Sequence, residues 1–186
     1  MPALRPTTLT RATLMVAASA LALAIVPAAR GANLFWDVNA DTAGIGGAGN
    51  WDTTSAFWYN AGSATTAAGT DPTAAYTFSA ADTAYFTGTG GAVALQQPVT
   101  VGGLYFDSAG YSLGGSTLSL AAGANVNIAA DVSIGSNLVA AGFTKSGAGT
   151  LTLSGANISS GTITVSAGTI RSEEHTSELQ SPCNLV

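Results

Sequence analysis

GFTKSGAGTLTLSGANISSGTITVSAGTI, residues 142–170, is the stretch whose reading decides the fold. Leu151 and Leu153, and again Ile163 and Val165, alternate with hydroxyl residues. Period two puts alternate side chains on one face of a strand. Each run is only a few residues long and ends at Gly147-Ala148-Gly149, Gly155-Ala156-Asn157 or Ser160-Gly161, residue types that turn a chain cheaply.

The same pattern continues upstream. Val99/Val101, Leu104/Phe106, Leu118/Leu120, Val126/Ile128 and Val132/Ile134 repeat the alternation, separated by Gly102-Gly103, residues 107–110, Gly114-Gly115 and residues 135–137. These breaks are expected to be positive-φ corners. No stretch sets apolar residues at i, i+3, i+4 and i+7 between helix caps, and Thr, Val and Ile dominate the runs, so the body is read as all-β. Very short strands with single-turn spacers suit a parallel β-helix, a solenoid in which each rung buries its inward residues against the one before. A β-sandwich is the alternative, since it too shows frequent turns. Close, uneven strand spacing favours the solenoid, as does the scarcity of rings after Tyr111, where only Phe143 remains.

Residues 33–107 differ. Phe35, Trp36, Trp51, Phe57, Trp58, Tyr59, Tyr76, Phe78, Tyr85, Phe86, Tyr105 and Phe106 crowd this end. A solenoid needs its terminal rung covered by atypical residues, so this section is expected to be an N-terminal cap plus first rungs. The rival reading is an exposed carbohydrate-binding platform with Trp51 and Trp58 as candidate binding residues.

Charge narrows the function. Charged residues make up 8% of the chain, and between positions 33 and 170 Lys145 is the one basic residue against seven aspartates. Such a body cannot neutralise phosphates, which argues against nucleic acid and anionic membrane surfaces as partners. It holds no Cys, His or Glu before residue 171, so it lacks disulfides and cannot assemble a Ser-His-Asp or Cys-His nucleophile. No catalytic residue and no cofactor are expected.

Residues 1–32 read as a secretory signal: Arg5 and Arg11 precede an apolar run over 14–26, and Pro27-Ala28-Ala29 follows. That run is too short to span, as a helix, a hydrocarbon core of ~30 Å. At the other end, RSEEHTSELQSPCNLV (171–186) brings Glu, His and Cys together abruptly. It resembles the conceptual translation of a sequencing adapter and is read as a non-native tail. Glu173, Glu174, His175 and Cys183 are therefore not taken as a metal or thiol site, and the native chain is expected to continue past Ile170.

The aspartates leave two weak candidates. Asp37/Asp41 or Asp71/Asp82 could pair as glycosidase carboxylates, although Asp beside Gly, Pro, Asn or Thr is ordinarily a turn residue. Asp37, Asn39 and Asp41 space their oxygens like the first ligands of a calcium loop, but Thr42 stands at the loop's glycine and Ala48 at its closing Glu. The Gly-x-Gly-x-x-Gly spacing over 44–49 lacks a βαβ context and does not indicate a nucleotide.

Residues 142–170 resemble the autotransporter-associated β-strand repeat. The family's opening Thr-Lys-x-Gly-x-Gly-Thr-Leu-x-Leu-Ser-Gly lies at residues 144–155 and its closing Thr-x-Val-x-x-Gly-Thr at 162–169. Where that family places an aromatic after Asn-Thr, this chain has Asn157-Ile158, and Ile158 is expected to take the inward position. Residues 36–52, with Gly46-Gly47-Ala48-Gly49-Asn50-Trp51-Asp52, also resemble the start of mature chains carrying such repeats. The resemblance implies a right-handed parallel β-helix exported to the surface of a Gram-negative cell, carried by an outer-membrane translocator β-barrel that this chain does not include. It also implies a stalk or adhesin, with a host-surface or polysaccharide ligand possible. The alternatives are a carrier for a catalytic domain elsewhere and a carbohydrate-binding module. The implied division is signal 1–32, cap and first rungs 33–111, repeat region 112–170, and tail 171–186.

Overall fold

The computed structural model describes residues 31–38, 45–65 and 75–173. Fifteen strands and no helix occur among them: β1 (Asn33–Trp36), β2 (Gly49–Trp51), β3 (Trp58–Asn60), β4 (Thr83–Phe86), β5 (Ala92–Leu95), β6 (Val99–Phe106), β7 (Tyr111–Gly115), β8 (Leu118–Ile128), β9 (Val132–Ile134), β10 (Leu138–Ala140), β11 (Phe143–Ser146), β12 (Thr150–Leu153), β13 (Asn157–Ser159), β14 (Ile163–Val165) and β15 (Thr169–Ser172). Except for β1 against β3, every strand pairing is parallel. The result is a β-solenoid of about four turns.

Register defines three faces. β4, the second half of β6, the second half of β8, β11 and β14 stack as the first, through Leu104↔Val126, Lys145↔Val126 and Lys145↔Val165. β2, β5, β7, β9, β12 and β15 form the second. The first halves of β6 and β8, then β10 and β13, form the third. β6 and β8 thus bend through a corner and serve two faces each, which the short-strand expectation did not foresee. Their register shifts after Val101, where β8 carries extra residues around Gly123. Such a bulge turns a strand without ending it.

Alternation places the core as expected. Val99, Val101, Leu104, Phe106, Leu118, Leu120, Val126, Ile128, Val132, Ile134, Leu151 and Leu153 are all buried in one continuous cluster. Ile163 and Val165 hold the same inward register over Phe143 and Lys145 but remain 41% and 49% exposed, because no described coil covers them. A chain lengthened by further coils of this pattern should stay monomeric in sedimentation at concentrations where one stopping at Ile170 associates through its open edge. Equal association by both would show that the uncovered column is not the cause.

Two local expectations are corrected. Ile158 pairs with the outward Val139, so it points to solvent at 64% exposure, and Asn157 and Ser159 face inward over Leu138 and Ala140. Not every glycine break is a positive-φ corner either. Gly110, Gly115 and Gly147 are, but Gly155 is not; there a Cβ would run into the Ser136 carbonyl of the coil below. Glycine at that corner serves close approach of stacked backbones.

At the N-terminal end the rings close the coil. Trp36, Trp51, Trp58, Phe78 and Phe86 meet at centroid distances of 4.7–6.2 Å. β3 folds back antiparallel on β1, so the free edge of the first coil is paired. Each buried ring contributes a few kcal/mol by area.

Candidate functional site

The sequence-derived candidates resolve into structural roles where they are described. Trp51 and Trp58 are 1% and 3% exposed, and both pack on Phe78 and Phe86. Neither offers an open ring face, which corrects the carbohydrate-platform reading: large rings at the end of a solenoid are drawn into its core by their area.

Asp37 lies at the end of β1, 7% exposed, bridged to Gly46, with its N–H donating to the Phe57 carbonyl at 2.9 Å. Asn39 and Asp41, the other two calcium candidates, fall outside the described residues, as do Asp71 and Gly44. Asp82 is occupied by three donors: Ala32 N at 2.8 Å, Ser79 N at 2.7 Å and Ser79 Oγ at 2.8 Å. It fastens the approach to β4 onto the residue before β1. Asp52 closes a turn by accepting from the N–H and hydroxyl of both Thr54 and Ser55 at 2.6–3.0 Å. Burial raises its pKa, but those donors outweigh it and hold the carboxyl below the ordinary value. Asp131 accepts from Thr150 N at 2.7 Å and so ties one coil to the next. These are the turn-stabilising roles typical of aspartate. No group of three or more His, Cys, Asp or Glu able to hold a metal occurs among the described residues.

Tyr111 lies against the Asp37 corner and donates to the Thr87 carbonyl at 2.6 Å. Burial pushes its hydroxyl up to about 12, offset in part by the Gly47 backbone and reinforced by the Asp37 carboxylate. A raised folded pKa means stability that is fully present below the unfolded value of 10.0 and lost as pH climbs through about 12. Tyr111 should therefore cost the chain up to about 2 kcal/mol across that window, and Tyr111→Phe should flatten the loss. Denaturant midpoints measured for both chains between those pH values would check it; parallel curves would show that Tyr111 is not the group responsible.

The outer surface exposes aspartates such as Asp107 and Asp131 and, over residues 33–170, no basic side chain. Asn125 Nδ2 donates to Tyr105 Oη at 2.9 Å and Ser146 Oγ to Asn125 Oδ1 at 3.0 Å, a hydrogen-bonded line across three coils of the first face. On the second face Ala94, Gly114 and Gly135 line a shallow groove of about 310 Å³ flanked by Ser112 and Ser133. These two patches offer amide and hydroxyl contacts.

Residues 143–171 match the passenger-associated-transport-repeat family, and in this fold they run from β11 into β15. The chain is also 38% identical over 155 residues to the adhesin BmaC autotransporter of Brucella suis biovar 1 (strain 1330), an alignment covering 82% of this chain. Over the aligned residues the chain is similar to an autotransporter passenger. It spans only 4% of that relative's length. No solved structure matches. No helix among the described residues is long and apolar enough to cross a membrane. The predicted signal lies outside the described residues, apart from its last two. The described residues thus form a stacked coil with a transport repeat on its last turns.

Proposed function

We propose that this chain is a surface-displayed stalk within an exported passenger, acting as a structural spacer or adhesin. The observation that carries the reading is the position of the transport repeat: it forms the last described turns of the parallel coil. Coils add stability one by one, so such a passenger folds progressively as it emerges. Residues 1–32 serve as the export signal, residues 33–111 close the first end and residues 112–170 form the repeat region. The partner in transport is an outer-membrane translocator β-barrel. A ligand of this exterior is a host surface or polysaccharide engaged by hydrogen bonds, and nucleic acid is disfavoured because residues 33–170 are acidic and expose no basic side chain. The relative's much greater length also suits a carrier reading, in which activity resides in another domain.

Fusion of residues 1–170, signal included, to a translocator barrel, in a non-adherent Gram-negative host, tests this. Surface display is read by protease shaving and adherence by binding to cultured cells and polysaccharide-coated plates. Display with adherence supports the adhesin. Display without adherence removes the adhesin reading and retains the stalk, and failure to reach the surface removes the passenger reading.

A further inference from the structure

Lys145 is the chain's single lysine, and it points inward. Along the first face its column reads Leu34, Ala84, Leu104, Val126, Lys145, Val165. The side chain is 0% exposed among aliphatic neighbours. Its ammonium has three protons to place. Nζ donates to Ser146 O at 3.2 Å, Gly147 O at 2.9 Å and Ala167 O at 2.9 Å. Two acceptors belong to the lysine's own turn. The third arrives only with the turn after β14, one coil later.

The surrounding backbone is shaped to this meeting. Ser166 donates its N–H and its hydroxyl to the Lys145 carbonyl at 2.8 and 3.0 Å. Gly168 sits at φ +69°, where a Cβ would lie 2.6 Å from Nζ and run into the Gly149 carbonyl. The two ends of the repeat pattern, Thr144-Lys145-Ser146-Gly147 and Ala167-Gly168-Thr169, thus converge on one ammonium group although they are a full coil apart in sequence.

We propose that Lys145 is a coil-completion clasp, whose ammonium locks inside the solenoid only when the following turn delivers the Ala167 carbonyl. Before that turn arrives, one N–H would be buried without an acceptor, so the side chain stays in water and its coil stays loose. Once the turn docks, all three protons are satisfied and the site is sealed. Burial then draws the ammonium below its ordinary pKa, opposed by the Asp131 carboxylate. The use of the clasp in export rests on the passenger reading: the coil that holds Lys145 is finished by the coil after it, which orders the addition of those two.

The test is made on the purified chain and is independent of export. With an amine-acetylating reagent and mass spectrometry, Lys145 in the whole chain should react on the order of tenfold more slowly than in Gly168→Val, which blocks docking of the turn. In Gly168→Val, hydrogen exchange in β4–β9 should stay protected. Lys145→Met, which keeps the apolar stem, should strip amide protection from β14 and β15 while β4–β9 keep theirs. Equal acetylation of Lys145 in both chains overturns the clasp, as does intact β14 and β15 protection in Lys145→Met. Protection lost evenly from all coils also overturns it, since that would make Lys145 an ordinary core residue.

Discussion

Phe86→Ala should destabilise the chain by about 3–5 kcal/mol, the upper range for removing a buried ring. Phe86 is fully buried, stacks on Phe106 at 4.5 Å and 5°, and lies within 6.2 Å of Trp36, Trp51, Trp58 and Tyr111. Its removal opens a void between the terminal ring cluster and the first regular coil. Surrounding rings, held from several sides, cannot collapse into it. A guanidinium titration followed by tryptophan fluorescence would report the loss, because all three tryptophans adjoin the site. Tyr105→Ala, on the outer face, should stay within about 1 kcal/mol and serves as the comparison. A Phe86→Ala loss as small as that of Tyr105→Ala would mean that the aromatic end does not carry the fold.

Gly46→Val should cost about 2–6 kcal/mol, from strain and overlap acting together. Gly46 has φ +104° and bridges Asp37 on one side to Thr89 on the other. A Cβ there would collide with the Thr89 carbonyl and the Tyr111 hydroxyl and sit 2.6 Å from the Thr87 carbonyl. These groups hold the corner between the first two faces, so the mutation should also displace Tyr111 from its bond to Thr87. Thermal unfolding followed by circular dichroism would show a lowered midpoint. A midpoint equal to that of the parent would mean that the corner relaxes freely and the bridge is incidental.

Strand formation was legible because it depends on neighbours two residues apart, and the alternating pairs from Val99 to Leu153 are buried as read. Lys145 was quoted within the repeat pattern but not read as core. Its inward position was implied by Phe143 two residues earlier, and the missing information was the acceptor from Ala167. Ile158 was assigned inward on the strength of its apolar side chain. Pairing of β13 with β10 instead sends Asn157 inward, because a one-residue change of register exchanges the faces of a strand. The ring-rich end was read as a cap, with a platform on Trp51 and Trp58 as the rival, since ring content does not say which way a ring faces.

The sequence by itself determined an all-β chain of short alternating strands. It also excluded disulfides and a histidine- or cysteine-based nucleophile from residues 33–170, and it carried the repeat pattern of autotransporter passengers. Those properties follow from residue type and near spacing. Only the tertiary structure decided which glycines turn the chain and which admit a neighbouring backbone. It alone closed the first coil with an antiparallel strand and brought Lys145 to a carbonyl of the next coil. Each of these joins residues about a coil apart or more, and such contacts are set by the stacking of coils, in which every strand takes its register from the one beneath it.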